Sequence, residues 1–106
     1  MKVKNQLNGE QLENIIKTGV TLVDFNAPWC APSRAQEPVT KALAKKFHNT
    51  AKVIDLDVDE NRHIAARRGI TSIPTLIIFK DGLELRRFVG LQHIDVLSSA
   101  IEGILK

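Results

Sequence analysis

The residue with the most reactive chemistry in this sequence is its one cysteine, in the segment Trp29-Cys30-Ala31-Pro32-Ser33. An apolar run precedes the segment and a helical pattern follows it, so Cys30 should lie at the first turn of a helix. A thiol there faces unpaired backbone N–H groups and the positive end of the helix dipole, which favour the thiolate. We therefore predict a nucleophilic cysteine. The alternative is a buried structural cysteine, but the adjacent Trp and Pro residues predict a turn at the surface.

A carboxylate lies inside the apolar run that leads to this turn. Asp24 is flanked by Leu22, Val23 and Phe25, and a buried ionised acid is costly unless it is neutralised or solvated. We predict a buried acid with a raised pKa. The alternative is a carboxylate at the edge of a strand, in water.

A second group of acidic residues raises the question of a metal site, but its spacing does not fit one. Asp55, Asp57 and Asp59 alternate with apolar residues, but an EF-hand loop that began at Asp55 would need Gly and Glu where the chain has Glu60 and Ala66. The three histidines show no ligand spacing, and a single cysteine excludes a thiolate zinc cluster. We predict no metal site.

Composition limits the remaining function classes. The 106 residues have a mass of 11.8 kDa, and 43% of them are hydrophobic, which is typical of one folded domain over residues 1–106. The net charge of +3 is scattered along the chain, so we expect no nucleic-acid binding. No apolar stretch approaches the roughly 20 residues of a membrane span, and the first ten residues do not resemble a signal peptide. A lone cysteine cannot form an internal disulfide, and we expect a cytoplasmic protein.

The apolar periodicity switches repeatedly between strand-like and helix-like, which predicts an α/β fold in the order β-α-β-α-β-α-β-β-α. A first strand precedes a short helix that Gly19 closes, and Asp81-Gly82 predicts a hairpin turn. The other predicted segments are the strands Val20–Ala27, Val53–Asp59 and Thr75–Phe79, the return strand through Leu85 and Val89, and the last helix through Ile94 and Leu105.

The active-site segment resembles that of the thioredoxin family, whose WCxPC signature appears here as Trp29-Cys30-Ala31-Pro32-Ser33. The resemblance continues at Pro38, at Ser72-Ile73-Pro74-Thr75, at Phe79-Lys80-Asp81-Gly82 and at Val89-Gly90, and so spans almost the whole chain. It implies a thioredoxin fold, with a central mixed five-stranded sheet flanked by four helices. It also implies a protein thiol–disulfide oxidoreductase without a bound cofactor.

Ser33 departs from the family pattern, which has a second, resolving cysteine at this position. A hydroxyl does not resolve a mixed disulfide at neutral pH, so exchange should stop at the mixed disulfide with Cys30 unless an outside thiol completes it. Replacing this one residue by Cys would give an ordinary family motif, which favours an engineered trapping variant. The alternative is a natural monothiol member of the superfamily.

The resemblance also assigns roles to the other site residues. It implies that Cys30 is the nucleophile and that Asp24 is a buried acid that assists proton transfer. Many bacterial members carry a lysine where this chain has Asp55, so two carboxylates could meet there. The residues implied to bind substrate are Trp29, Ala31, Pro32, Ile73, Pro74 and Gly90, with Pro74 expected to be a cis-proline.

The implied partners are disulfide-containing proteins and, for a two-cysteine form, a flavoprotein thioredoxin reductase. We expect a monomer. A different class of function stays open, a docking module that binds a partner through the same surface without turnover.

Overall fold

The computed structural model describes residues 9–106. They form four helices and four strands, which confirms the predicted α/β class and number of helices. The elements are α1 (Gly9–Ile16), β1 (Val20–Asn26), α2 (Ala31–Lys46), β2 (Ala51–Asp57), α3 (Arg62–Arg67), β3 (Thr75–Lys80), β4 (Leu83–Val89) and α4 (Ile94–Leu105).

The sheet is mixed, with the strand order β2-β1-β3-β4. β1 pairs in parallel with β2 and antiparallel with β3, and β3 pairs antiparallel with β4. The predicted five-stranded sheet is therefore corrected to four strands within residues 9–106. The first strand of that prediction precedes α1, on residues 1–8, and lies outside the described residues.

The sheet has helices on both faces because its two central strands are buried on both sides. In β1, Val23 and Phe25 point towards α1 and α3, whose apolar side chains complete one core cluster. Val20 and Leu22 point the other way and pack with residues of α2 and α4. Asp24 follows Leu22 by two residues and therefore points to the same face of the sheet. Its side chain lies beneath α2 and α4.

The hairpin between β3 and β4 is anchored to the end of α1. Asp81 has a φ of 49° and Gly82 a φ of 87°, which is the backbone conformation that the predicted Asp-Gly turn needs. The carboxylate of Asp81 accepts a hydrogen bond of 2.8 Å from the N–H of Gly19, and the N–H of Gly82 donates one of 2.8 Å to the carbonyl of Ile16. These bonds satisfy backbone groups at the C-terminal end of α1.

One edge strand of the described sheet is β4, which is exposed over nearly its whole length. Its register with β3 shifts between Ile78 and Phe79. Glu84 and Arg87 form an ion pair on this strand, and the guanidinium of Arg87 also donates a bond of 2.7 Å to the carbonyl of Arg68. The edge strand is thereby tied to the end of α3. Among residues 9–106, no helix is both long and apolar enough to cross a membrane.

Candidate active site

Cys30 lies at the N-terminus of α2, as the sequence predicts. β1 ends at Asn26, and the turn that follows is closed by a hydrogen bond of 3.1 Å from the N–H of Cys30 to the carbonyl of Ala27. Cys30 is the N-cap residue in an extended conformation, and a proline follows in the first turn of the helix, where its missing N–H costs nothing. The thiol is half-buried, and its Sγ lies 3.8 Å from the carbonyl oxygen of Ile73.

The loop before β3 brings the predicted proline segment to the cysteine. The Ile73–Pro74 peptide bond is cis. The carbonyl of Pro74 accepts a hydrogen bond of 2.8 Å from the N–H of Gly90, which has a φ of 91° that favours glycine. Three segments distant in sequence thus meet at this end of the sheet, around Cys30, Pro74 and Gly90.

The apolar residues next to Cys30 are open to solvent. Trp29 is 66% exposed, and Ala31 and Pro32 are exposed as well. The indole N–H of Trp29 donates a hydrogen bond to the carboxylate of Asp59, which lies just after β2. The sequence pattern places Asp59 at the end of a strand and does not predict this contact, because the partner is thirty residues away and no local pattern marks the pair.

Ser33 is buried, with 4% of its surface exposed. Its Oγ accepts a hydrogen bond of 3.3 Å from the N–H of Ala27, across the turn that carries Cys30. The hydroxyl therefore binds the backbone of the active-site turn from the inner face of α2.

Asp24 is completely buried, and neither of its carboxylate oxygens has a hydrogen-bond partner among the described residues. Burial raises the pKa of Asp24 from its ordinary 3.8 to about 7, the charges of Asp55 and Glu37 add to the rise, and the amide of Asn26 offsets part of it. Asp55 is the direct register partner of Asp24 on β2, so both side chains lie on the same face of the sheet. The two carboxylates that the sequence could only suggest do lie side by side.

A buried amide links α2 to the loop after β4. Gln36 has no exposed surface. Its Nε2 donates a hydrogen bond of 3.0 Å to the carbonyl of Gln92, and its Oε1 accepts one of 2.7 Å from the N–H of the same residue. Sequence reasoning missed this pair. The available signal was a glutamine three residues after Ser33 and four before Thr40, the spacing of one helix face.

Residues 9–106 contain no group of three His, Cys, Asp or Glu side chains that could hold a metal ion. The polar groups described at this site are a buried acid, a buried hydroxyl and a backbone carbonyl.

Known proteins are similar to this chain in sequence and in fold. The thioredoxin family model matches residues 3–103. A thioredoxin of Staphylococcus saprophyticus is 41% identical over 97 residues, which cover 92% of this chain and 93% of that protein. A thioredoxin of Staphylococcus aureus is 42% identical over 87 residues, which cover 82% of this chain and 84% of that protein.

Solved structures agree with the sequence relatives. A mutant thioredoxin from Halobacterium salinarum superposes with a TM-score of 0.87 at 34% identity and covers 100% of this chain and 97% of its own. Mitochondrial thioredoxin 3 of Saccharomyces cerevisiae, in its oxidised form, superposes with a TM-score of 0.84 at 28% identity, covering 93% of each chain. This chain belongs to the thioredoxin family of protein thiol–disulfide oxidoreductases.

Proposed function

We propose that this protein attacks disulfides of protein substrates through Cys30 and stops at the mixed disulfide because Ser33 occupies the resolving position. The observation that carries the proposal is the position of the thiol. Cys30 is the only cysteine of the chain, it caps the N-terminus of a 16-residue helix, and its Sγ lies against the carbonyl of Ile73. The first turn of a helix leaves backbone N–H groups unpaired, and these groups attract negative charge.

Formation of the mixed disulfide is an exchange reaction, which needs no external oxidant or reductant. The Cys30 thiolate attacks one sulfur of a substrate disulfide, a new bond forms between Cys30 Sγ and that sulfur, and the other substrate sulfur leaves as a thiolate that takes up a proton. Extended substrate backbone next to the cysteine would then lie beside Ile73 and Pro74, with Trp29 and Gly90 at the rim.

Release of the substrate needs a second nucleophile, and Ser33 is not one. An alcohol ionises far above neutral pH, and the Ser33 hydroxyl is buried and bonded to the N–H of Ala27. A thiol at this position would attack Cys30 Sγ, close an internal disulfide and release the substrate sulfur. Asp24, buried beneath α2 with a pKa of about 7, would supply or accept the proton of that resolving thiol near neutral pH.

The Ser33→Cys variant tests the assignment in dithiothreitol-coupled reduction of insulin. Without dithiothreitol, we expect the chain as it stands to hold insulin in a stable adduct. With dithiothreitol, an outside thiol that can release the adduct, we expect slow turnover from the chain as it stands and faster turnover from Ser33→Cys. The matched control is Ser99→Cys, which adds a thiol at an exposed position of α4 and should give no such increase. Equal rates for the chain and for Ser33→Cys would contradict the resolving role of position 33.

Alkylation of Cys30 separates exchange from simple docking. We expect it to abolish adduct formation. A partner that binds the alkylated chain as tightly as the free-thiol chain would show a docking module instead. The codon for residue 33 in the source gene decides between an engineered trapping variant, which we propose, and a natural monothiol protein.

The free thiol of Cys30 also bears on the compartment in which the protein acts. We propose that the protein acts as a monomer in the cytoplasm, where reducing conditions keep Cys30 free. The Ser33→Cys form would accept electrons from a flavoprotein thioredoxin reductase.

A further inference from the structure

A groove of about 440 Å³ lies directly beside the active site, between the end of β2, α3 and the loop before β3. It begins at Ile73, whose carbonyl is 3.8 Å from Cys30 Sγ. Most of its lining is apolar and consists of Trp29, Val58, Ala65, Ala66, Ile70 and Ile73. An extended chain advances about 3.3 Å per residue, so a substrate residue close in sequence to a cysteine bound at Cys30 is within reach of this groove.

Two charged side chains line the groove, Asp59 and Arg62. The carboxylate of Asp59 accepts the indole N–H of Trp29, so one of its oxygens is already used within the protein. Arg62 is exposed, and its guanidinium forms no ion pair or hydrogen bond with any of residues 9–106. A guanidinium carries five N–H donors in a fork that matches a carboxylate. The groove thus combines apolar walls with the guanidinium of Arg62, whose N–H donors are open to a ligand.

We propose that Arg62 is a specificity-determining residue that selects substrates with an acidic side chain close to the reacting cysteine, on the segment that lies in this groove. The inference rests on the proposed function, because the segment reaches the groove only while its cysteine is held at Cys30. The substrate class is therefore a disulfide-containing chain with apolar residues and one Asp or Glu beside the cysteine.

Symmetrical disulfides of short synthetic peptides test this selection, because attack on either sulfur gives the same products. The Cys30 thiolate joins one peptide through a new disulfide, and the second peptide leaves as a thiol after taking up a proton. Each peptide carries one cysteine and one Glu, and the position of the Glu before or after the cysteine differs from peptide to peptide. For each position, two further peptides have Gln or Lys in place of the Glu. The initial rate of adduct formation is measured by mass spectrometry.

We expect Glu to react about 1.5 to 5 times faster than Gln at one or two positions, the range that exposed ion pairs supply, and Lys to react more slowly than Gln. The advantage of Glu should be lost in Arg62→Gln and reversed in Arg62→Glu. It should also fall at 1 M salt, where the Debye length is about 3 Å.

The matched control is Arg67→Gln. Arg67 is an exposed arginine of the same helix that does not line this groove, and its replacement should preserve the preference for Glu. Equal rates for Glu, Gln and Lys peptides at every position, or a preference for Glu that survives Arg62→Gln, would overturn the role of Arg62. Adducts formed in those experiments would still support the proposed function. The absence of an adduct with every peptide would overturn the proposed function itself.

Discussion

Replacing the buried acid by its amide should stabilise the protein in a way that depends on pH. Asp24 has no exposed surface, and its pKa is raised to about 7 by burial and then by the charge of Asp55. The folded protein therefore binds a proton that the unfolded chain releases near pH 3.8. Stability from this group is fully present below pH 3.8 and is lost as pH rises to about 7.

The size of the effect follows from these two pKa values. A rise from 3.8 to about 7, at 1.36 kcal/mol for each pH unit, makes the ionised folded state less stable by about 4 kcal/mol at pH 8. Asp24→Asn removes this ionisation and keeps the side-chain volume. We expect its gain in the free energy of unfolding to grow from below about 1 kcal/mol at pH 4 to about 4 kcal/mol at pH 8.

Guanidinium denaturation at pH 4, 6 and 8 measures this trend. With a slope of about 4 kcal/mol per molar denaturant, the midpoint of Asp24→Asn should exceed that of the parent by about 1 M at pH 8. The control is Glu60→Gln, which changes an exposed carboxylate in the turn after β2 and should shift the midpoint little at any pH. A gain for Asp24→Asn that is the same at all three pH values, or a loss at pH 8, would show that the pKa of Asp24 is not raised in the folded protein.

Two further predictions concern the neighbours of this acid and of the active-site helix. Asp55→Asn removes the second cause of the raised pKa of Asp24, so a carbon-13 NMR titration of the Asp24 carboxyl should give a midpoint lower than in the parent, and an unmoved midpoint would contradict the pairing. Gln36→Ala leaves the N–H and the carbonyl of Gln92 without their partner and should lower the free energy of unfolding by about 2 to 4 kcal/mol. Lys45→Ala, at an exposed position of the same helix, should change it by less than about 0.5 kcal/mol, and equal losses would show that the buried amide pair contributes nothing.

Local sequence patterns predicted those parts of the fold in which a residue's structure depends on its near neighbours. The Asp81-Gly82 turn has the positive φ values expected of it, and the thiol of Cys30 lies at the start of a helix because a strand, a proline-rich turn and a helical pattern follow one another in the chain. The element ends were less accurate. The predicted strand Val53–Asp59 runs from Ala51 to Asp57. The residues after it form a turn, in which the N–H of Val58 still donates a hydrogen bond of 2.8 Å to the carbonyl of Asn26.

Contacts between distant segments could not be predicted in this way. Asp24 and Asp55 are paired by the register of two parallel strands, and a shift of one residue would have placed them on opposite faces. The bond from Trp29 to Asp59 likewise depends on where β2 ends relative to the active-site turn. Such pairs follow from topology, which a single sequence does not specify at the level of individual side chains.

The irregular outer strand of the sheet has a consequence for how this protein behaves at high concentration. An open strand edge is a template on which another chain can add and start an aggregate. Along β4 the shift in register opposite Ile78 and Phe79 interrupts the regular row of backbone groups, and Glu84 and Arg87 place charges on it. The interrupted row and these charges disfavour the addition of a further strand along β4, even though Leu83, Leu85 and Val89 of the same strand are exposed. We therefore expect β4 to resist pairing with a strand of another molecule at high protein concentration.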